Sequence, residues 1–240
     1  MDSIQQAFTS RLQERGITLS EFQLEQFEAY FKELVSWNEK MNLTGITERE
    51  QVYTKHFYDS VSLAFFMDMS KVKRLADIGS GAGFPGIPLK ICFPDLQLTI
   101  IDSLNKRITF LQNIVDQLKL TNVKLIHGRA EQCGHQREHR DQYDLVTARA
   151  VAKLGMLNEF CLPFVKVGGT FAAMKGSDPS VEIQEATRSL KELRSVLNRV
   201  EKFTLPIEDA DRHIVLINKT DITPYKYPRN SGIIAKSPLA

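Results

Sequence analysis

Beyond Lys73 the sequence takes on a repeating rhythm of a short apolar run, a helical stretch, then another apolar run. The apolar runs Arg74–Ile78, Leu96–Ile101, Val123–His127, Tyr143–Thr147, Gly169–Met174 and Ile214–Asn218 read as strands. The stretches Pro85–Cys92, Asn105–Leu118, Ala152–Pro163 and Val181–Val200 read as helices. Repeated β-α-β units bury their apolar faces only as a largely parallel sheet with helices on both sides.

The first 70 residues differ. Phe22, Leu24, Phe27, Tyr30, Phe31, Leu34, Val35 and Trp37 recur at helical spacing. Ser20 and Gln23 form a capping-box pattern ahead of them, and Thr47 with Glu50 suggests a later helix start. The tail from Thr223 carries Pro224, Pro228, Gly232 and Pro238 and reads as a loop or extended arm. The expected organisation is a helical cap over 1–70, an α/β core over 71–222 and a basic tail over 223–240.

Charge is unevenly spread: residues 1–50 sum to −4 and residues 51–240 to +6. The body is mildly basic, which is compatible with nucleic acid without demanding it. The start, MDSIQQAFTS, lacks a basic region followed by an apolar one, and no apolar run reaches about 18 residues. Neither a signal peptide nor a membrane span is expected. Cys92, Cys133 and Cys161 are odd in number and include no C-x-x-C, so reduced thiols in a cytoplasmic protein are expected.

Gly81-Ala-Gly83-Phe-Pro-Gly86 satisfies the G-x-G-x-x-G template of dinucleotide sites. Pro85 and Pro88 nevertheless remove backbone donors where a pyrophosphate would sit. Asp77 would repel it, yet suits a cationic, phosphate-free cofactor such as S-adenosylmethionine. Gly79, Gly81 and Gly83 at alternate positions let the backbone turn sharply and approach a ligand. Asp102 closes the second strand, where an acid can accept both ribose hydroxyls, and Gly128-Arg-Ala130-Glu131 follows the third. This constellation resembles the class I S-adenosylmethionine-dependent methyltransferases, with a Rossmann-like sheet.

No N/D-P-P-Y/F loop follows the fourth strand, so the motif of exocyclic amine methylation is missing. Cys161 sits in an apolar Phe-Cys-Leu-Pro setting and reads as core rather than as a nucleophile. Ring nitrogens, hydroxyls and carboxylates remain as acceptors. A purine N7 needs orientation more than deprotonation.

A closer resemblance runs from about residue 20 onward. It is carried by Asn38-Glu-Lys-Met-Asn-Leu-Thr44, Lys55-His56-Phe-Tyr-Asp-Ser60, the Asp77–Gly86 stretch, Asp102-Ser-Leu-Asn-Lys-Arg107, Gly128–Glu131, Thr147-Ala-Arg149-Ala and Tyr227-Pro-Arg229…Lys236-Ser-Pro-Leu. These blocks resemble the 16S ribosomal RNA guanine-N7 methyltransferase family, RsmG or GidB. The resemblance implies methylation of a guanine N7 in the 530 loop, on the small ribosomal subunit or its precursor. It implies cofactor contacts from Gly79, Phe84, Ala130, Glu131 and Arg149. Phe84 stands where many methyltransferases carry a smaller residue.

Lys55 and His56 are candidates for a phosphate and the target base; packing the cap on the core is the plainer alternative. Arg149 has an ion pair with Glu131 as its plainer alternative. Lys175, Arg229 and Lys236 are candidate RNA contacts, with Tyr225 and Tyr227 interleaved for stacking. Cys133, His135 and His139 lack a fourth zinc ligand and read as a solvated loop, so no metal is expected. Competing functions are a small-molecule methyltransferase, a non-catalytic RNA-binding assembly protein and, most remotely, an NAD oxidoreductase.

Overall fold

The computed structural model describes residues 1–176 and 178–239. Seven strands form one sheet in the order β3-β2-β1-β4-β5-β7-β6. They are β1 (Arg74–Ile78), β2 (Gln97–Asp102), β3 (Val123–His127), β4 (Tyr143–Arg149), β5 (Val165–Lys175), β6 (Ser195–Thr204) and β7 (Asp211–Lys219). The first five are parallel; β7 runs antiparallel to β5 and β6. Strand order reverses between β1 and β4, so a crevice opens at their carboxyl ends.

Successive residues serve opposite faces, as a strand's two-residue period requires. Leu75, Leu98, Leu145 and Leu216 enter one core; Ala76, Ile101, Val146 and Val215 enter the other. The first core is roofed by α1 (Ser3–Gln13), α2 (Glu21–Met41), α5 (Gly86–Cys92) and α6 (Asn105–Gln117). The second is roofed by α8 (Leu154–Cys161) and α10 (Thr187–Glu192), with α9 (Ser180–Glu185) preceding α10.

The capping box at Ser20 is present: the Gln23 amide donates to Ser20 Oγ, and Ser20 N–H donates to Gln23 Oε1 at 2.8 Å. The Gln23 side chain also donates to the Ile91 carbonyl at 2.7 Å, tying α2 to the end of α5. Phe27, Tyr30 and Leu34 are fully buried, and each such burial contributes about 1.5–3 kcal/mol. The next helix starts one residue later than the Thr47 signal suggests, with Glu48 accepting from the amides of Glu50 and Gln51. Short α3 (Arg49–Gln51) leads into a π-helical turn, Val52–Tyr58, and then α4 (Asp59–Val61).

Two expectations fail. Val181–Val200 is not one helix: two short helices end at Glu192, and the chain then enters β6. Most β6 side chains are exposed, so no inward–outward alternation marks the strand, and nine register pairs with β7 override the local helical pattern. The tail is not an extended arm either. Residues Ser231–Lys236 form α11, and Tyr227, Ile234 and Leu239 are buried. No helix among the described residues is long and apolar enough to cross a membrane.

Candidate active site

The turn after β1 needs its glycines. Gly79, Gly81 and Gly83 have φ of 70°, 63° and 98°, a region L side chains rarely adopt. A Cβ on Gly83 would also lie 2.6 Å from the Tyr30 hydroxyl. Asp77 lies beneath the turn and is fully buried. Its Oδ2 accepts from Ser80 Oγ at 2.6 Å and from the Gly86 amide at 2.7 Å, while Oδ1 has no partner. Burial pushes the carboxyl up to about 6. The sequence suggests an acid facing a cationic cofactor; the structure instead places Asp77 as the brace of the turn, with no exposed atom.

The same hydrogen bonds explain why the template motif is not a pyrophosphate cradle. The Gly86 amide is held by Asp77, and the Ile87 amide donates to the Gly83 carbonyl at 2.8 Å. Pro85 and Pro88 have no amide hydrogen. The start of α5 therefore has few free donors for an anion.

Asp102, at the end of β2, accepts from the Gly81 amide at 3.0 Å, the Leu104 amide at 2.9 Å and the Arg107 guanidinium at 3.3 Å. A carboxylate has about four acceptor sites, so one more donor can be received. A cavity of about 170 Å³ opens beside these strand ends. Ile78, Ile101 and Phe160 give it apolar walls; Ser103, Glu131 and Ser231 give it polar ones. Gly79, Gly128 and Ala130 supply backbone at close range. The other wall is Val151, 2.9 Å from where a Gly79 Cβ would stand. Apolar side chains interleaved with polar ones suit an adenosine.

A second cleft, of about 360 Å³, lies across the Arg149–Ala150–Val151 segment. Lys55, His56, Asp59, Arg149, Lys175 and Arg212 line it. The wide π turn delivers the first two: Ser60 Oγ donates to the His56 carbonyl at 2.5 Å, and Arg149 donates to the Lys55 carbonyl at 3.2 Å. Arg149 also pairs with Asp59 at 2.8 Å, not with Glu131. The Glu131 carboxylate lies 3.8 Å from Arg129 instead.

Phe84 is the keystone between cap and turn. Its ring stacks on His56 and Tyr30, at 4.6 and 5.4 Å, and carries the Arg149 guanidinium 5.0 Å above it. It is buried and lines neither cavity. Desolvation, and then the nearby Arg149 charge, push His56 down to about 3. The imidazole is therefore neutral at physiological pH, with Nε2 2.8 Å from Thr44 Oγ1.

The sequence candidates thus separate. Lys55, His56, Arg149 and Lys175 meet in one cleft. Lys175 is held there by Glu182 at 2.6 Å. Gly79, Ala130 and Glu131 meet in the smaller cavity. Arg229 lies outside the cleft, its guanidinium on the buried Glu159 at 2.8 Å, and Lys236 is exposed on α11. The 133–139 run is a turn that is exposed over 135–138, as expected, but buried at its ends: Cys133 and His139 are buried, and His139 Nδ1 lies 2.8 Å from Tyr143 Oη. No metal-ligand cluster occurs among the described residues. Sequence reasoning missed Asp59, Arg212 and Ser231. Asp59 stands inside the quoted Lys55–Ser60 block, so a signal for it existed; Arg212 left none.

Parallel strands in this order, an antiparallel β7, a glycine turn after β1 and an acid ending β2 define a class I methyltransferase of Rossmann-like fold. Solved structures of the same fold include an O-methyltransferase from Bacillus cereus in complex with SAH (TM-score 0.55, 15% identity, covering 79% of this chain and 90% of that one). Another is a SAM-dependent O-methyltransferase from Thermotoga maritima (TM-score 0.52, 16% identity, covering 80% and 72%). The model of the family described as rRNA small subunit methyltransferase G matches residues 23–215, and the chain belongs to that family. Relatives named ribosomal RNA small subunit methyltransferase G are 53% identical in Bacillus velezensis, over 97% of each chain, and 54% identical in Halalkalibacterium halodurans, over 97% of this chain and 98% of that one.

Proposed function

We propose that this protein transfers a methyl group from S-adenosylmethionine to N7 of a guanine in the 530 loop of 16S ribosomal RNA, on the small subunit or its precursor, in the cytoplasm. The observation that carries the reading is the cleft beside Arg149. It gathers cationic groups and a neutral imidazole and, among the described residues, no cysteine. All three cysteines are buried, and desolvation raises each thiol. Covalent attack on a pyrimidine has no group to perform it here.

Gly79, Gly128, Ala130 and Glu131 would hold the adenosine half of the cofactor; Asp102 does not line this cavity, and its remaining acceptor site lies at the neighbouring strand end. When bound, S-adenosylmethionine supplies an electrophilic methyl on a sulfonium. The chain's own task is positioning. A purine N7 presents a free lone pair, so no protein base has to take a proton. His56, neutral and stacked on Phe84, offers a flat surface beside the cleft. Lys55 and Lys175 line the cleft, paired with Glu208 at 2.7 Å and Glu182 at 2.6 Å, and would meet the RNA backbone by exchanging those carboxylates for phosphates. The Asp59 carboxylate offsets the guanidinium groups of Arg149 and Arg212, which limits their repulsion of the cationic base that N7 methylation creates.

The test is methyl transfer from labelled S-adenosylmethionine to small subunits lacking their own modification, with the product nucleoside identified. Label in 7-methylguanosine from the 530 loop is the expected result. Label in any other nucleoside overturns the assigned atom.

A further inference from the structure

The C-terminal segment after β7 returns across α7 (Ala130–Cys133) and α8, passes the smaller cavity at Ser231 and brings Leu239 against Gly155 of α8. It is bound at every stage. The Arg140 guanidinium donates to the carbonyls of Thr223, Pro224 and Tyr227 at 2.7, 3.2 and 2.9 Å. His135 Nε2 lies 2.8 Å from the Pro228 carbonyl. Arg229 donates to both carboxylate oxygens of Glu159, which is fully buried, and to the Ser237 carbonyl at 3.0 Å. Ile234 and Leu239 plug apolar positions. The strap places Ser231 in the wall of the cavity that Gly79 and Gly128–Glu131 also line. Arg129 Nη1 reaches Ser231 Oγ at 3.4 Å and Glu131 Oε1 at 3.8 Å, so it bridges strap and loop.

We infer that this strap is a working wall of the cofactor pocket: Ser231 contacts the adenosine half, and the Glu159–Arg229 pair is the positioning device that holds it there. The inference rests on the reading of this cavity as the S-adenosylmethionine site. It reassigns Arg229 from RNA contact to pocket assembly. An arginine already engaged by a buried carboxylate and a carbonyl has little left to offer a phosphate.

The probe is S-adenosylhomocysteine, titrated by calorimetry into the full chain and into Ser231→Ala, Ser231→Trp and Asp102→Asn. Losing one hydrogen bond should raise the dissociation constant of Ser231→Ala about 3- to 10-fold. Ser231→Trp should fill the cavity and raise it more than 10-fold. In turnover, Ser231→Ala should raise KM for the methyl donor while kcat and KM for the small subunit hold. Circular dichroism melting identifies a variant that fails to fold; Ser231→Ala, half-exposed, then remains as the deciding one. Unchanged binding by Ser231→Ala, with binding weakened in Ser231→Trp, overturns the Ser231 contact and leaves the cavity assignment standing. Unchanged binding by Ser231→Trp overturns the cavity assignment as well, and weakened binding in Asp102→Asn alone would move the cofactor to the other side of that strand end. No binding by the unaltered chain overturns the cofactor reading itself.

Discussion

The imidazole of His56 lies almost parallel to the ring of Phe84, with centroids 4.6 Å apart and planes inclined by 24°. This contact joins the π-helical turn of the cap to the glycine turn of the sheet. Arg149 lies 5.0 Å above the same Phe84 ring and pairs with Asp59 three residues after His56. The cleft and the glycine turn therefore share one aromatic-cationic cluster.

Phe84→Leu keeps most of the buried volume but removes the stacks on His56 and Tyr30 and the seat for Arg149. The expected loss is about 1–3 kcal/mol, since aromatic and cation–π pairs each carry roughly 0.5–1.5 kcal/mol. Urea unfolding of the two proteins measures it. Equal midpoints would show that the cluster adds nothing beyond apolar volume.

His56 also sets a pH dependence. Its folded value is pushed down to about 3 from an ordinary 6.5. Between these values the unfolded chain binds a proton that the folded chain refuses. Stability therefore rises with pH through this window and is lost on acidification. Asp77, raised to about 6 from 3.8, acts in the opposite sense: the folded state takes its proton first, so acidification from about 6 to 4 favours folding. Comparing wild type with His56→Asn cancels the Asp77 contribution common to both. The melting midpoint of the wild type should fall more steeply between pH 6.5 and 4.5 than that of the variant. Parallel curves would contradict a neutral, buried His56.

Gly83→Ala tests the turn. The position has φ of 98°, and a Cβ would meet the Tyr30 hydroxyl at 2.6 Å, Ile87 at 2.8 Å and Leu111 at 2.9 Å. Left-handed strain and overpacking together cost about 2–4 kcal/mol. Gly81→Ala, at φ 63° with open space around it, suffers only the strain, about 1–2 kcal/mol. Denaturant midpoints should rank wild type, then Gly81→Ala, then Gly83→Ala.

The legible parts of this molecule were those where one local signal decides the structure. β1 and β3 run over the spans their apolar patterns give, and the Ser20–Gln23 box starts α2 where the residues say. β6 was hidden because a mostly exposed edge strand has no alternation to read; pairing with β7 makes it a strand. The Arg149–Asp59 pair was hidden for another reason. The partners are 90 residues apart in the chain, and spacing cannot show that the π turn brings them together. Asp77 drew attention as an acid beside glycines, but its buried role follows from the Gly86 amide directly above it.

The tail is where sequence and structure part most, and Arg229 tests it. Arg229→Met leaves Glu159, fully buried, with the Arg229 backbone amide, at 2.8 Å, as its one donor among the described residues. Removing one partner of a buried ion pair costs about 3–5 kcal/mol, because the remaining charge is uncompensated. Glu159→Gln in the Arg229→Met background removes that charge and should recover part of the loss. Denaturant unfolding of the wild type, the single variant and the double variant gives both numbers. Trypsin reads the strap directly, since Lys226 and Lys236 lie on it and are exposed. Cleavage there should accelerate in Arg229→Met while cleavage in the sheet core does not. A single variant as stable as the wild type, with unchanged tail cleavage, would mean that Arg140 and the plugs at Ile234 and Leu239 hold the strap without the ion pair.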